Sequence, residues 1–304
     1  MGFLKFSKLE ILSHPLFITK NELQKYLLPL NRQLPAAFFL ADIPTAKKLA
    51  TKKAEALYGQ TGINLTTDYG NTEIIDAVAY YEAHGTIMFD DYSWYFNTKD
   101  FAEDFKAAED NPAVIAHFLH INSGGGLAYY LDEIHKILSE RAKPLIVQCE
   151  MLVCSAALYI AVPANKIYAT TKFDTVGSIG TMVSFWDLKP YFEEIGFKWH
   201  EYYAEQSALK NKRFNDLLDG KPEDYIEHEL NPITEQFIND VKKSRKKAEG
   251  EGLFEGQTYN ASEAVGINLI DGIQTLEDSI GEVYALGLKY AEKIRLQNNS
   301  IFNL

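Results

Sequence analysis

Ser155 is the residue whose type and setting most favour chemistry. It lies in CSAALYIA, residues 154–161, where its neighbours are small enough for another backbone to approach closely. The apolar pattern from Ala156 to Ala164 predicts a short helix that starts directly after the serine. Unpaired amides and the helix dipole at such a start favour negative charge, as an attacking oxygen and the resulting oxyanion require. A buried serine that caps a core helix fits the same pattern.

A glycine run supplies candidates for an oxyanion hole. It comprises Gly124, Gly125 and Gly126. It follows the segment Ala113 to Ile121, which predicts a buried strand because nearly every position is apolar or aromatic. The pattern predicts that the glycines end this strand and open a helix from Leu127 to Arg141, which leaves their amides free for a substrate carbonyl. The amide of Ala156, next to the serine, is the second candidate donor.

A serine nucleophile also needs a base that takes its proton, and in triads this is a histidine held by a carboxylate. No histidine follows Ser155 before His200. His117 and His120 lie inside the predicted strand, beside apolar residues. His120 is therefore either a candidate base or a half-buried residue of the strand.

Several blocks of this sequence resemble the signal peptide peptidase A (SppA) family, which includes soluble head-maturation proteases of phages. CSAALYIA (154–161), ANKIYA (164–169) and GSIGT (177–181) match the family's nucleophile segment in order and spacing. Upstream, INSGGG (121–126) is similar to a family strand that runs into a proline-glycine turn, with glycine here in place of the proline. Downstream, GLFEGQTYNASEAVGINLIDGI (252–273) resembles a further family segment.

The resemblance implies a Ser/Lys dyad, in which lysine replaces histidine as the base. The matching segment is SALKN, residues 207–211, which makes Lys210 the base, or Lys212 if the register is shifted by two. The resemblance also implies that Ser178 orients the amine and that Gly125 is an oxyanion donor. A lysine acts as a base only when its amine is neutral, so desolvation or a nearby positive charge has to lower its pKa from about 10.4.

Two sets of apolar residues are open to a functional or a structural interpretation. The first set lies near the serine and would line a substrate pocket or pack in the protein core. It comprises Leu152, Val153, Met182 and Val183. A second set recurs at helical spacing and would pack in the core or against a neighbouring subunit. This set comprises Tyr225, Leu230, Ile233, Phe237 and Val241.

Composition limits the class of protein. The 304 residues are 46% hydrophobic and 24% charged, which is typical of a soluble globular protein, and the net charge of −12 argues against nucleic acid as a partner.

Cys149 and Cys154 lie too close along a strand to pair easily, so we expect free thiols. Without an H-x-x-x-H motif among the seven histidines, we expect no metal and no cofactor. No stretch reaches the roughly 18–20 apolar residues of a membrane span, so we expect a cytoplasmic protein.

The predicted organisation has three parts: a helical N-terminal extension (1–70), a peptidase domain (71–290) and a C-terminal tail (291–304). Within the domain, strands are predicted in 77–89, 113–121, 145–149 and 166–169, alternating with helices, the first of which begins near Asn97. This alternation predicts an α/β fold with a largely parallel sheet. The family resemblance further implies the ClpP/crotonase-like spiral of βαβ units.

The resulting hypothesis is a serine endopeptidase of the SppA type that cleaves extended or unfolded peptides through an acyl-enzyme. The family resemblance suggests phage head maturation as its role. The family resemblance, together with the single copy of each segment in this chain, implies a homo-oligomeric ring in which subunits share the dyad. Two alternatives remain open. A crotonase-like acyl-CoA enzyme would use the glycine amides without a nucleophile, and an inactive scaffold would assemble without catalysis.

Overall fold

The computed structural model describes residues 16–18, 77–89 and 96–301, with side chains for 77–89 and 96–297. The predicted extension, residues 1–70, therefore lies outside the described residues apart from one short strand at Leu16–Ile18.

The described residues form the following elements in chain order. The strands are β1 (Leu16–Ile18), β2 (Ala77–His84), β3 (Ile87–Met88), β4 (Phe96–Asn97), β5 (Val114–Ser123), β6 (Gly125–Leu127), β7 (Leu145–Cys154), β8 (Lys166–Ala169), β9 (Thr175–Gly177), β10 (Thr258–Asn260) and β11 (Gly272–Ile273). The helices are α1 (Thr98–Asp110), α2 (Leu131–Glu140), α3 (Ala156–Ala161), α4 (Lys189–Glu194), α5 (Lys212–Leu218), α6 (Glu223–Tyr225), α7 (Asn231–Ser244), α8 (Ala261–Gly266) and α9 (Leu276–Ile301). A 3-10 turn forms at Glu205–Ser207, and a π-helical turn at Ile226–Leu230 joins α6 to α7.

The main sheet is built around β7. Its first half pairs in parallel with β8 and its second half with β9, while β5 lies along its other edge and β2 follows β5, both in parallel. Antiparallel β10 extends β9, and β11 pairs with β8. The predicted α/β fold with a largely parallel sheet is confirmed. A second, smaller sheet has the order β1-β6-β3-β4.

Both faces of the main sheet are covered, which explains why β5 and β7 are almost continuously apolar. Successive side chains point to opposite faces, so Leu119 and Val147 enter the main core while Phe118 and Ile146 enter a second core. The second core includes Val283 of α9. The central strands are therefore held from both sides.

The ends of α1 follow ordinary capping chemistry. Asn97, predicted to start this helix, accepts hydrogen bonds at its side-chain oxygen from the amides of Lys99 (2.9 Å) and Asp100 (3.2 Å). At the other end, Lys143 Nζ donates to carbonyls of the last turn, those of Ala108, Glu109 and Asn111. This lysine satisfies acceptors that the helix itself leaves unpaired.

The chain after the glycine run departs from the prediction. The helix expected from Leu127 begins at Leu131, because Gly125–Leu127 forms β6 instead. A side chain at Gly126 would place its Cβ 1.9 Å from the carbonyl oxygen of Ile87, so only glycine lets β6 lie against β3. Tyr130, in a left-handed conformation (φ 70°), then turns the chain into α2.

Two further boundaries differ from those predicted. Helix α3 ends at Ala161, whereas the apolar pattern had extended to Ala164. Helix α9 runs without interruption through residue 290, where a tail was predicted to start.

Cys149 and Cys154 are both buried thiols that form no disulfide, as expected from their spacing. Across the part of the chain that the structure describes, no helix has both the length and the apolar character needed to cross a bilayer.

Candidate active site

The turn between β7 and α3 carries Ser155 in a strained conformation. Its backbone has φ 56° and ψ −121°, which side-chain-bearing residues rarely adopt. The turn is fixed on both sides, because the Ser155 amide donates to the Gly177 carbonyl (2.8 Å) and its carbonyl accepts from the Tyr159 amide (2.9 Å). The sequence predicted a serine directly before a short helix, and the structure has one there.

The Ser155 hydroxyl is buried yet unpartnered. The residue is 1% exposed, and its Oγ has no hydrogen-bond partner among the described residues. Leaving a buried polar group unpaired costs about 1–3 kcal/mol, so such a group in a folded protein calls for an explanation. Strain and an unpaired hydroxyl thus coincide at one residue.

Helix α3 is held rigidly behind the serine. The Tyr159 hydroxyl donates to Asp240 of α7 (2.6 Å), and the Tyr159 ring stacks on His135 of α2 and packs edge-on against Phe237. Burial, with a further contribution from the hydrogen bond to Asp240, raises the pKa of Tyr159, so the phenol keeps the proton it donates. Phe237 and Val241 of the predicted apolar stripe are fully buried in this core.

The glycine turn presents fewer free amides than the sequence predicted. Gly125 has φ 109°, and its amide donates to the Ser123 hydroxyl (3.1 Å) instead of standing free at a helix start. Gly124 links β5 to β6 and is buried. Sequence reasoning missed Ser123, although it stands within the quoted INSGGG block. As the first residue of α3, Ala156 has an amide without a partner inside its helix.

Ser178 lies on the strand side of the same turn. It has φ 59° and is half-buried, and its amide donates to the Gln257 carbonyl (2.8 Å). Its neighbour Gly177 is the residue whose carbonyl holds the Ser155 amide. These backbone hydrogen bonds link the segment of Ser178 to the turn that carries Ser155.

The predicted pocket residues fall into two groups. Val153 is fully buried in the main core. Leu152, Met182 and Val183 are half-buried, so part of each side chain is open to a ligand.

Lys210 lies on a solvent-exposed arm, which we define as residues 184–224. No residue of this arm is buried, and Lys210 itself is exposed. Within the described residues, the structure does not bring the Lys210 amine to the Ser155 hydroxyl, since Ser155 Oγ has no partner there. The alternative, Lys212, forms an ion pair with Asp216, and the hydrogen bond to that carboxylate raises the pKa of Lys212.

Both ring nitrogens of His117 take part in a buried hydrogen-bond network. Its Nε2 lies 2.7 Å from Glu109 and its Nδ1 lies 3.0 Å from the Tyr81 hydroxyl. Burial lowers the pKa of His117, so the ring is neutral, with Nε2–H donating to the carboxylate. Burial alone would raise the pKa of Glu109, but hydrogen bonds from His117 and from the backbone amides of Ala142 and Lys143 outweigh it and lower the pKa to about 2.

Both ring nitrogens of His120 also contact other side chains. Its Nδ1 lies 3.0 Å from the Tyr80 hydroxyl, and its Nε2 lies 3.1 Å from Glu150. Since Ser155 Oγ has no hydrogen-bond partner, neither strand histidine acts on it in this protomer.

Comparisons with known proteins bear on this geometry. Residues 137–287 match the model of peptidase family S49. A relative from Enterococcus faecium, named as a signal peptide peptidase SppA, is 27% identical over 191 residues, which cover 61% of this chain and 55% of the relative. The chain thus spans about half the length of that relative.

Two solved structures are similar at lower identity. The 1510-N membrane-bound stomatin-specific protease has a TM-score of 0.42 and 15% identity, and the match covers 70% of this chain and 85% of that one. ClpP1 from Listeria monocytogenes has a TM-score of 0.38 and 12% identity, and the match covers 66% of this chain and 93% of that one.

Proposed function

We propose that the chain, which matches peptidase family S49 over residues 137–287, is a serine endopeptidase with Ser155 as its nucleophile. The observation that carries this proposal is the strained backbone of Ser155 together with its buried, unpartnered hydroxyl. A conformation of this kind costs on the order of 1–3 kcal/mol and is found mainly at functional sites. A hydroxyl without partners in its own protomer is available to a base and a substrate carbonyl.

In the proposed reaction, Ser155 Oγ attacks a peptide carbonyl carbon while a base takes its proton. The tetrahedral oxyanion is stabilised by the Ala156 amide. The Gly125 amide, in the turn with Gly124, is the second donor once it leaves the Ser123 hydroxyl, a rearrangement confined to two residues of one turn. The base then protonates the leaving amine as the C–N bond breaks, and water hydrolyses the resulting acyl-enzyme.

An extended peptide is the substrate that the neighbouring strand suits best. The edge of β6, directly after Gly124, pairs antiparallel with β1 in this chain, with Ile18 opposite Gly125. If β1 leaves this edge, a substrate strand can take its place in the same antiparallel way, through main-chain hydrogen bonds. Leu152, Met182 and Val183 would then receive apolar side chains. Unfolded segments, such as those processed in phage head maturation, fit this mode of binding.

The proposed base is Lys210. Lys212 is a poorer candidate because its ion pair with Asp216 raises its pKa, whereas a base has to be neutral. The exposed position of Lys210 does not provide the desolvation that a neutral lysine requires. Another surface must cover the arm and exclude water from Lys210 before this residue can act as a base.

We propose that a second copy of this chain covers the arm and that the dyad is shared between subunits. The arm exposes many large apolar side chains, and contiguous apolar surface of this kind marks interaction sites. This set includes Trp186, Tyr191, Phe192, Ile195, Phe197, Trp199, Tyr202, Leu209 and Leu218. Four of them, Phe192, Phe197, Trp199 and Leu218, line a groove of about 860 Å³. Docking of the arm would desolvate Lys210 and bring its amine to Ser155, with Ser178 to orient it.

A fluorophosphonate probe followed by mass spectrometry tests the nucleophile. We expect one adduct on Ser155, loss of the adduct in Ser155→Ala, and an unchanged adduct in Ser139→Ala, since Ser139 is an exposed serine of α2. Peptide cleavage should disappear with the adduct. An assembled wild-type protein without adduct or cleavage would instead identify a scaffold, and an adduct on another serine would refute the assignment.

A further inference from the structure

The second core covers one face of the main sheet. Further along the same face, past the end of this core, the side chains are polar. On that face Val78 and Phe118 pack against α9 through Ile280. Further along β2, Glu82 and His84 point to the same side because they are two residues apart. The register of the sheet puts Glu82 opposite His120 of β5. The strands therefore gather histidine and glutamate side chains where the apolar cover ends.

These side chains converge closely. One ligand atom from each of Glu82, His84 and His120 lies within 4.8 Å of those of the other two. The rings of His84 and His120 are nearly perpendicular, with centroids 5.4 Å apart. Glu150 of β7 adds a carboxylate 3.1 Å from His120 Nε2. We call these four residues the His–Glu patch.

Tyr80 orients the buried members of the patch. Its hydroxyl donates to Glu82 (3.3 Å) and lies 3.0 Å from His120 Nδ1, while its ring stacks on Phe118. The Tyr80 contact at Nδ1 fixes the His120 ring with Nε2 facing the Glu150 carboxylate (3.1 Å), and Nε2 gives up any proton it carries when it binds a metal ion. Metal-binding histidines are typically fixed in this way through their other ring nitrogen.

We propose that Glu82, His84 and His120 bind a divalent transition-metal ion of the zinc class, with Glu150 beside it. Two imidazoles and a carboxylate are a common ligand set for Zn²⁺, whereas Mg²⁺ and Ca²⁺ prefer oxygen ligands only. Atoms that each lie about 2.0–2.2 Å from one ion are at most about 4.4 Å apart, so ligand atoms that lie within 4.8 Å of one another need only small side-chain shifts to bind it. No local histidine motif predicts the site, because its two histidines come from different strands.

The position of the site suggests what the ion does. Past His84, the Gly85 amide donates to the Asn122 carbonyl (3.0 Å), one residue before Ser123. Ser123 holds the Gly125 amide. An ion that joins β2 to β5 would therefore stabilise the end of β5 that leads into the glycine turn.

Isothermal titration calorimetry of ZnCl₂ into the full chain, treated with chelator beforehand, tests this proposal without any activity measurement. We expect one Zn²⁺ per chain and no heat from MgCl₂. His84→Ala should abolish binding, and its fold should survive because His84 is exposed. Tyr80→Phe should weaken binding roughly 10–100-fold. His200→Ala, which removes an exposed histidine of the arm, is the matched control and should bind as the wild type does.

Co²⁺ substitution provides a second readout. The visible absorption bands of the Co²⁺-loaded protein should show nitrogen and oxygen coordination and should disappear in His84→Ala but not in His200→Ala. Absence of Zn²⁺ binding by the wild type, or equal binding by wild type and His84→Ala, would overturn the proposal. Equal loss of binding in both histidine variants would locate the ion elsewhere and overturn it too.

Discussion

The turn that carries Ser155 and the arm that carries Lys210 differ in almost every physical property. Ser155 is 1% exposed, follows a central strand and is backed by Tyr159 and Phe237. Residues 184–224 include no buried side chain, and Trp199 and Tyr202 are 73% and 87% exposed. The described residues of a protomer therefore position the proposed nucleophile but do not position the proposed base. We infer that the missing constraint comes from outside the protomer.

The largest effect on activity should come from removing the side-chain amine of Lys210 on the arm. Lys210→Ala should lower kcat/KM roughly 10²–10⁴-fold, the contribution of a positioned base, without a change in melting temperature. Lys210→Arg should not restore activity, because a guanidinium stays protonated. Steady-state kinetics on an unfolded protein substrate would measure this. Lys212→Ala is the matched control, and inactivity of that variant alone would assign the base to Lys212.

The exposed aromatic side chains of the arm should matter for assembly and not for folding. Trp199→Glu should weaken self-association roughly 30-fold, since a central aromatic interface residue contributes about 2 kcal/mol. Analytical ultracentrifugation would report the change, and circular dichroism should show an intact fold. Leu296→Glu alters an equally exposed apolar residue of α9 outside the arm and should leave association unchanged. If both variants associate like the wild type, the arm is not the interface.

The buried region, unlike the arm, should make stability dependent on pH. Burial lowers the pKa of His117, so acid protonates the unfolded chain first and the folded state loses stability below about pH 6.5. The pKa of Glu109 is lowered to about 2, so its contribution is lost as pH falls from about 4.5 towards 2. Urea unfolding should therefore show a decline in the free energy of unfolding between pH 7 and pH 4. His117→Gln should flatten that decline, and a flat wild-type profile would contradict the network.

The smallest effect should reveal the strain at the nucleophile. Glycine adopts positive φ freely, so Ser155→Gly should be about 1 kcal/mol more stable than Ser155→Ala, although both should be inactive. Thermal unfolding of the two variants measures the difference. A less stable glycine variant would show that the turn is not strained.

The sequence allowed prediction of features that depend on neighbouring residues. Asn97 as a helix cap, the buried strand that became β5 and a serine directly before α3 are all local patterns of side-chain type and spacing. The strand β6 was missed because its glycines resemble a helix start, and only the close approach to Ile87 explains why they extend.

Features that depend on strand register could not be predicted in this way. Glu82 meets His120, and His117 meets Glu109, only after the chain has folded into a sheet and packed against α1. The left-handed backbone of Ser155 likewise results from its hydrogen bond to Gly177, a residue of another strand. Exposure of the arm is a property of the whole fold, although its aromatic residues are visible in the sequence.

Complementation tests the shared dyad most directly. Ser155→Ala and Lys210→Ala proteins, each inactive alone, are mixed in equal amounts and allowed to exchange subunits, and peptide cleavage is measured. If neighbouring subunits share the dyad, about one quarter of the sites combine an intact serine with an intact lysine, and activity should return in that proportion. A mixture that stays inactive while native mass spectrometry shows mixed oligomers would contradict the account, as would an active wild-type monomer.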